Sequence, residues 1–207
     1  MVDNYSIEKL REQEREARKQ LILDAAINLF STCPLSKVSI RDIAKKAGVS
    51  PALIYRHFED RDALFLDVFL IQSDKIISSF ETLLQRNEDF TTHQVAEEFV
   101  TYLLDHRNFF QMMTHFMLDS SKNEMIQEKF NSNVRRLLAA FDYVLQESGI
   151  AKKTRIHSHA FLAALNGVVI TYINYPGRSE AEIREHILHV TKIIATSFER
   201  EITNEKR

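Results

Sequence analysis

Residues 39–58 of this chain read SIRDIAKKAGVSPALIYRHF, and the caps and breakers in this stretch decide the fold. The opening serine and Asp42, three residues later, form a capping-box-like helix start, because the hydroxyl can accept from an unpaired backbone amide. Gly48 ends that helix, since a left-handed backbone costs glycine least. Ser50 and Pro51 start another helix, with proline at the first position, where its missing N–H costs nothing. The stretch therefore predicts two short helices joined by a three-residue turn, the spacing of a helix-turn-helix.

The second of these helices has two faces of different chemistry. When it is wound at about 100° per residue, Ile54 and Phe58 face inward, and Ala52 and Arg56 fall on the opposite side. A small residue beside an arginine suits a helix in the major groove of DNA, because arginine can make two hydrogen bonds to a guanine edge. The Ser50 hydroxyl and the N-terminus of the helix can face a phosphate.

The charge distribution is consistent with a polyanionic partner at one end of the chain. The 207 residues carry a formal net charge of −2. Residues 1–58 carry +3 and the remainder −5, and residues 37–58 alone carry +4. A local excess of charge is often only a solvated surface, so the charge supports the motif but would not establish it alone.

The composition excludes several classes of protein. With 4 Gly and 3 Pro, the chain has too few breakers for a turn-rich β-sandwich or barrel. The single cysteine, Cys33, excludes an internal disulfide framework and a cysteine-based zinc finger. No secretory pattern follows Met1, and the most apolar stretch, residues 160–173, is too short to span a bilayer. We therefore expect a reduced, soluble, cytoplasmic protein.

Helical periodicity extends through the rest of the chain, with breakers between the periods. Besides the two short helices, we expect helices over residues 6–31, 61–85, 92–105, 106–118, 122–148, 153–175 and 180–203. Asp60, Ser121 and Ser179 are predicted N-terminal caps, and Gly149 is a predicted helix stop. The sequence thus predicts an all-α fold of about nine helices.

The stretch SIRDIAKKAGVSPALIYRHFEDRDAL, residues 39–64, closely resembles the DNA-binding signature of the TetR family of bacterial regulators. The preceding helix, with ILDAA at residues 22–26 and Leu29-Phe30, matches as well. The resemblance is specific over about residues 19–66, and farther on only the number, lengths and order of the helices match. It implies a three-helix DNA-binding domain, residues 1–60, and a larger helical domain for ligand binding and dimerisation, residues 61–207.

The resemblance also implies roles for individual residues. Phosphate contacts fall to Ser39, Ser50, Tyr55, His57 and Arg61. Base contacts fall to Ala52, Leu53 and Arg56, with Arg41 as a further candidate. Leu53 stands where the family more often has a small hydroxylated residue, so contact with a thymine methyl would replace the usual hydrogen bond.

The first helix carries further basic residues: Arg11, Arg15, Arg18 and Lys19. They could reach the duplex from an extended helix. Glutamates are interleaved with them, however, so the pattern favours a self-paired, solvent-facing surface.

The segment from residue 109 to residue 118 is rich in phenylalanine and methionine, and methionine often lines adaptable pockets. With aromatic residues from neighbouring helices, it could enclose a hydrophobic effector, as the family resemblance implies. The candidate ligand-binding residues are Phe99, Tyr102, His106, Phe109, Met113, Phe116, Met117, Phe141, Tyr143 and Asn166. Packing in the bundle core is the alternative role for each of them.

The last two long helices carry small residues on apolar faces, which permit close helix approach. By resemblance, this helix pair forms a four-helix bundle with its copy in a second subunit. The recognition helices of a twofold dimer would then lie about 34–36 Å apart, one turn of duplex. The expected interface residues are Ala160, Ala164, Gly167, Ile194 and Phe198, and internal packing is the alternative.

A metal site and an enzyme active site have weaker support in the sequence. His186 and His189, with Glu182 or Glu185 nearby, could begin a metal site, but eight histidines produce such a pair by chance. The chain has no Gly-rich phosphate loop, Gly-x-Ser-x-Gly elbow or His-Glu-x-x-His motif, so we expect neither an enzyme nor a metal or other cofactor.

The expected function is that of a homodimeric repressor on a palindromic operator, relieved by a small hydrophobic effector. The alternative is a DNA-binding protein whose body binds a protein partner.

Overall fold

The computed structural model describes residues 4–85, 91–118, 123–149 and 154–205, which form nine α-helices, one short 3-10 helix and no strand. The α-helices are α1 (Asn4–Thr32), α2 (Ile40–Ala47), α3 (Pro51–His57), α4 (Arg61–Gln85), α5 (Thr92–Asp105), α6 (Arg107–Leu118), α7 (Glu124–Ser148), α8 (Thr154–Tyr172) and α9 (Glu180–Glu205). The 3-10 helix, Leu35–Lys37, lies between α1 and α2. The predicted all-α fold is confirmed.

Local hydrogen bonds define the ends of α2 and α3. Ser39 Oγ accepts from the Asp42 N–H at 3.2 Å, and Asp42 Oδ2 accepts from the Ser39 N–H at 3.0 Å, which completes the predicted capping box. Gly48 ends α2 in the left-handed region, at φ 68°. Ser50 Oγ accepts from the Leu53 N–H at 3.2 Å and caps α3. The turn between the helices therefore has the chemistry that the sequence predicted.

The first three helices pack around a small apolar core. Ile22, Ile43 and Ile54, one from each helix, are fully buried. Phe30, near the end of α1, meets Phe65 of α4 edge to face, with ring centroids 4.8 Å apart. The helix α4 thus packs on the N-terminal helices, and farther along it packs on α6 and α7.

The body is a bundle in which α5 packs on α9, α7 on α8 and α8 on α9. A row of aromatic rings crosses it. Phe141 meets Phe99 and Phe161 edge to face, at centroid distances of 5.4 and 5.7 Å, and Phe161 contacts Phe198 at 4.7 Å. None of the helices in the described residues combines the length and apolarity needed for a membrane crossing.

Two predicted helix ends differ from the structure. The helix α7 begins at Glu124, because the Asn123 side chain caps it by accepting from two backbone amides. The predicted cap Ser121 lies outside the described residues. The helix α8 ends at Tyr172 rather than at the predicted Tyr175. Tyr175 itself precedes Pro176, and the residue before a proline is disfavoured in helical conformation.

Other predicted helix ends are confirmed. Asp60 caps α4 by accepting from the Ala63 N–H at 2.7 Å, and Ser179 and Glu182 form a capping box at α9. Gly149 ends α7 in the left-handed region.

Candidate nucleic-acid interface and body cleft

One side of α3 is exposed and polar. Ile54 is fully buried, whereas Ala52, Arg56 and Tyr55, which is 55 % exposed, lie at the surface. Leu53 is half-buried beside them. The two faces of α3 thus lie where winding the sequence into a helix places them. The exposed face offers a small side chain next to a guanidinium, as contact with a base edge requires.

The two capping serines differ in what their hydroxyl groups can do. Ser39 Oγ donates to Asp42 Oδ2 at 2.6 Å, so its proton is engaged within the capping box. This bond and the one from the Ser39 amide lower the pKa of Asp42. Ser50 Oγ accepts from the Leu53 amide, which leaves its O–H able to donate to a phosphate. Of the two predicted phosphate contacts, Ser50 therefore has the freer donor.

Arg61 has a role within the fold that the sequence did not predict. Its guanidinium donates to the carbonyls of Leu35 and Val38 at 3.3 and 3.4 Å and lies 4.4 Å from the centre of the Phe65 ring. These contacts hold the segment before α2 against α4. Arg61 thereby supports the position of α2, and the phosphate contact implied by the family resemblance stays a prediction.

His57 lies half-buried among cations at the end of α3. Burial lowers its pKa, and the positive charges of Arg15, Arg56, Lys19 and Arg18 lower it further. In the free protein the imidazole is therefore neutral at neutral pH. An anion beside this ring would reverse the balance and favour the protonated form.

We expect His57 to couple DNA affinity to pH. Phosphates near the ring would raise its depressed pKa, so binding would take up a proton and affinity would increase as pH falls from about 7.5 to about 5.5. The measurement is the dissociation constant across this range at constant ionic strength, for the wild type and His57→Gln. The glutamine variant should show a flatter profile, and identical profiles would contradict the phosphate assignment of His57.

The surface of α3 and the fold that presents it define a helix-turn-helix protein. Residues 22–68 match the family model described as bacterial regulatory proteins, tetR family. The N-terminal part of this chain is therefore similar to the segment that characterises this family.

Individual proteins match this chain over very different lengths. The chain is 41% identical to the HTH-type transcriptional regulator AcrR of Shigella flexneri over 64 residues, which are 31% of this chain and 30% of that protein. It is 22% identical to the nucleoid occlusion factor SlmA of Idiomarina loihiensis over 159 residues, 75% of this chain and 80% of that protein. The similarity to AcrR thus spans about a third of that relative.

The fold of the whole chain is similar to that of solved structures. The crystal structure of the transcriptional regulator FadR from Bacillus subtilis in complex with stearoyl-CoA superposes with a TM-score of 0.60 at 18% identity. That alignment covers 83% of this chain and 96% of FadR. The similarity shows a common fold for the body as well as for the N-terminal helices.

The candidate ligand-binding residues separate into groups in the structure. Phe99, Met113 and Phe141 are buried in the core, whereas Met117 and Tyr143 are more than 40% exposed. Phe116 packs at the edge of the core, with its ring centroid 6.1 Å from that of Phe69. The Oδ1 atom of Asn166 is buried and has no hydrogen-bond partner among the described residues. Tyr102, His106 and Phe109 line a common cleft.

This cleft, of about 980 Å³, lies between the end of α1, α4, the α5–α6 turn and the start of α9. Tyr102 donates to the backbone carbonyl of Gln72 at 3.0 Å and stacks on His106, with ring centroids 4.1 Å apart. Burial raises the pKa of Tyr102 to about 12. Gln72 contributes an Oε1 atom that is buried without a partner among the described residues. The cleft therefore combines aromatic rings with charged side chains, among them Lys75, Arg107 and Arg184.

Asn108 of α6 connects the wall of this cleft to the N-terminal helices. Its Nδ2 donates to the carbonyl of Phe30 and, at 3.1 Å, to that of Cys33. Its Oδ1 accepts from the Leu35 N–H at 3.2 Å. One side chain thus satisfies three backbone groups at the end of α1 and the start of the 3-10 helix, more than 70 residues away in the sequence.

The predicted interface residues are divided between the outer surface of α8 and the inner, core-facing side of α9. Ala160 is exposed, and Ala164 and Gly167 are half-buried. Ile194 and Phe198 instead pack against the core of their own subunit. Ile156, Ile170 and Ile193, which the sequence pattern did not single out, are each more than 50% exposed.

The paired histidines His186 and His189 lie near Tyr172, whose ring centroid is 4.4 Å from that of His186. Within the described ranges, no group of three or more His, Cys, Asp or Glu side chains is placed to hold a metal ion.

Proposed function

We propose that this chain is a DNA-binding transcriptional regulator, a cytoplasmic homodimer that represses from a palindromic operator and is released by a small hydrophobic effector. The observation that carries the proposal is the exposed face of α3, in which Ala52 and Arg56 lie side by side on a doubly capped helix-turn-helix. The family match over the same residues supports it. No catalytic role is proposed.

Each group on this face has a defined task in the proposed complex. Arg56 would bond a guanine edge, Ala52 would allow close approach, and Leu53 would contact a thymine methyl. Ser50 and Tyr55 would contact phosphates on either side and thereby fix the orientation of α3 in the groove. The buried side chains of Ile22, Ile43 and Ile54 join α3 to the two helices behind it.

The surface of α8 and α9 supports a twofold dimer. Ile156, Ala160, Gly167 and Ile170 follow the spacing of a helical stripe, and Ile156 and Ile170 are 63 and 52% exposed. Exposed apolar side chains in such a row favour association with an apolar partner surface. A second copy of the same face would bury them and would place the two α3 helices in successive major grooves.

The cleft behind the N-terminal helices is the proposed effector site within the body, residues 61–207. Tyr102, His106 and Phe109 line its wall, so an apolar molecule in the cleft would lie against aromatic side chains. The fold similarity to FadR, which was solved with stearoyl-CoA, supports a hydrophobic ligand. Such a ligand releases DNA only if it binds the two conformations with different affinity.

We expect Asn108→Ala to destabilise the protein and to weaken DNA binding. The substitution removes the hydrogen-bond partner of the Phe30 and Cys33 carbonyls and of the Leu35 amide. Each of these groups that stays shielded from water would cost about 1–3 kcal/mol. Urea unfolding and operator affinity are the measurements, with Gln111→Ala, an exposed position on the same helix, as the control. If Asn108→Ala and the control had the same unfolding free energy and the same operator affinity, the hydrogen bonds of Asn108 would have no energetic role.

A second candidate function is that the body binds a protein partner instead of a small molecule. The observation in its favour is the match to SlmA, a nucleoid occlusion factor by name, over 80% of its length. A thermal-shift screen without hits, together with a co-purifying protein, would favour this alternative.

Selection of bound duplexes from a random library by the purified protein tests the proposed function. The expected product is an inverted repeat, and repeating the selection with candidate metabolites identifies an effector by loss of recovery. A library that stays unenriched would overturn the proposal.

A further inference from the structure

We propose that the N-terminal half of α1 is a second DNA-binding element, in which Arg11, Arg15 and Arg18 bind the phosphates beside the half-site read by α3. This inference rests on the proposed function. It extends the DNA contacts beyond the helix-turn-helix to the start of α1. This segment lies before residue 22, where the match to the family model begins.

The three arginines form one stripe on α1. Their positions differ by four and three residues, so they fall within about 60° of the helix circumference. All three side chains are exposed. A row of guanidinium groups at this spacing suits the regular phosphates of one DNA strand.

This stripe lies next to the recognition surface. Arg11, Arg15 and Arg18 line a cleft of about 320 Å³, and the residues opposite them are Leu53, Arg56 and His57 of α3. The positive charges of Arg15 and Arg18 act on the imidazole of His57 and help to lower its pKa. Glu14 lines the same cleft, so the stripe and the α3 face meet at a surface that carries four arginines and one glutamate.

Residues 7–18 of α1 are not part of the buried core of the subunit. The helix has 29 residues, about 44 Å in length. Residues 7–18 are all exposed, whereas the core residues begin at Ile22. Apart from Ile7 and Leu10, the exposed side chains of this segment are mostly polar or charged. A helix of this kind is stabilised by side-chain pairs or by a partner, and the nearest surface of matching chemistry is the DNA bound by α3.

The glutamates on α1 do not prevent this role. Arg15 pairs with Glu12 at 3.5 Å and Arg18 with Glu14 at 3.8 Å, and all four side chains are more than half exposed. Exposed pairs of this kind contribute only about 0–1 kcal/mol, so they can be exchanged for phosphate contacts.

Lys19 differs from these arginines. It pairs with Asp67 of α4 at 2.7 Å, and its ammonium lies 5.6 Å from the centre of the Phe58 ring. Both contacts tie α1 to the rest of the domain. We therefore assign Lys19 to the fold and only the three arginines to DNA.

The test compares the wild type with Arg11→Gln/Arg15→Gln/Arg18→Gln on two duplexes, the selected operator with long flanks and the same operator trimmed to its half-sites. Affinity is measured by fluorescence anisotropy over a range of salt concentrations. On the long duplex, the slope of log K against log salt should become shallower by about 0.9 for each phosphate that the variant no longer neutralises. On the trimmed duplex, the two proteins should differ less.

Two further variants separate specific contacts from general effects. Lys129→Gln/Arg135→Gln/Arg136→Gln removes the same charge from exposed positions on α7 and should keep the wild-type slope. Arg11→Lys/Arg15→Lys/Arg18→Lys keeps the charge on α1 and should restore most of the slope. Circular dichroism checks that the variants remain helical.

The outcomes distinguish this inference from the proposed function. Suppose that the wild type binds, and that the glutamine variant on α1 shows the wild-type slope of log K against log salt on each duplex. Only this inference is then overturned. An equal loss of slope in the α7 variant overturns it as well, because the effect would then be one of net charge. If the wild type binds no duplex, the proposed function fails and the inference fails with it.

Discussion

Replacing Arg56 with alanine is expected to weaken binding to the selected operator by about 1–3 kcal/mol for each half-site and to relax the preference at one base position. The side chain is exposed on the outward face of α3, next to Ala52. Its guanidinium is the group on this face that can make a bidentate contact to guanine. Binding constants for the operator, for each single-base variant of the assigned position and for random duplex provide the measurement.

Tyr55→Phe is the matched comparison for Arg56→Ala. Tyr55 is the neighbouring exposed residue, and it is assigned to a phosphate. Loss of its hydroxyl should weaken binding to the operator and to random duplex alike, since phosphate contacts carry no sequence information. Arg56→Ala should instead reduce mainly the operator affinity. A uniform loss with Arg56→Ala would contradict its role in base recognition.

The second large effect is expected from Ile54→Ala, which should lower the free energy of unfolding by about 2–5 kcal/mol. Ile54 is fully buried between α3 and the helices behind it. The shorter side chain loses apolar burial and leaves a cavity in a small domain that has few other contacts to compensate. Urea unfolding followed by circular dichroism measures the change.

Leu53→Ala provides the control for this prediction. Leu53 precedes Ile54 on the same helix but is only half-buried, so its truncation should cost less stability. DNA binding by Ile54→Ala should fall at temperatures where the domain begins to unfold. Equal unfolding free energies for the wild type and Ile54→Ala would show that α3 is not held by this core.

The features that the sequence predicted depend on residues close together in the chain. The capping box at Ser39 and the left-handed end at Gly48 involve neighbours within a few residues, so their chemistry is visible in the sequence. The two faces of α3 follow from helical geometry once Ile54 is known to point inward. The helix ends at Asn123 and Tyr172 were predicted less accurately, because several polar residues compete for a cap and proline acts on the residue before it.

The features that the sequence did not reveal depend on residues far apart. The bonds from Asn108 to the segment before α2 and from Arg61 to Leu35 join distant positions, and no local pattern marks them. In α9, the apolar residues Ile193 and Ile194 are adjacent, and only the packing shows that Ile194 faces the core. The glutamates of α1 indicated a self-paired, exposed surface, and Arg15 and Arg18 do pair with Glu12 and Glu14. The sequence did not reveal that these arginines also lie beside α3.

Methylation interference on the selected operator tests the central claim that α3 binds in the major groove as part of a twofold dimer. Methylation at guanine N7 places a methyl group in the major groove, where it would collide with Arg56. The account predicts two clusters of interfering guanines, related by the symmetry of the site and about 34–36 Å apart on one face of the duplex. Interference confined to minor-groove positions, or binding that is indifferent to guanine methylation, would contradict it.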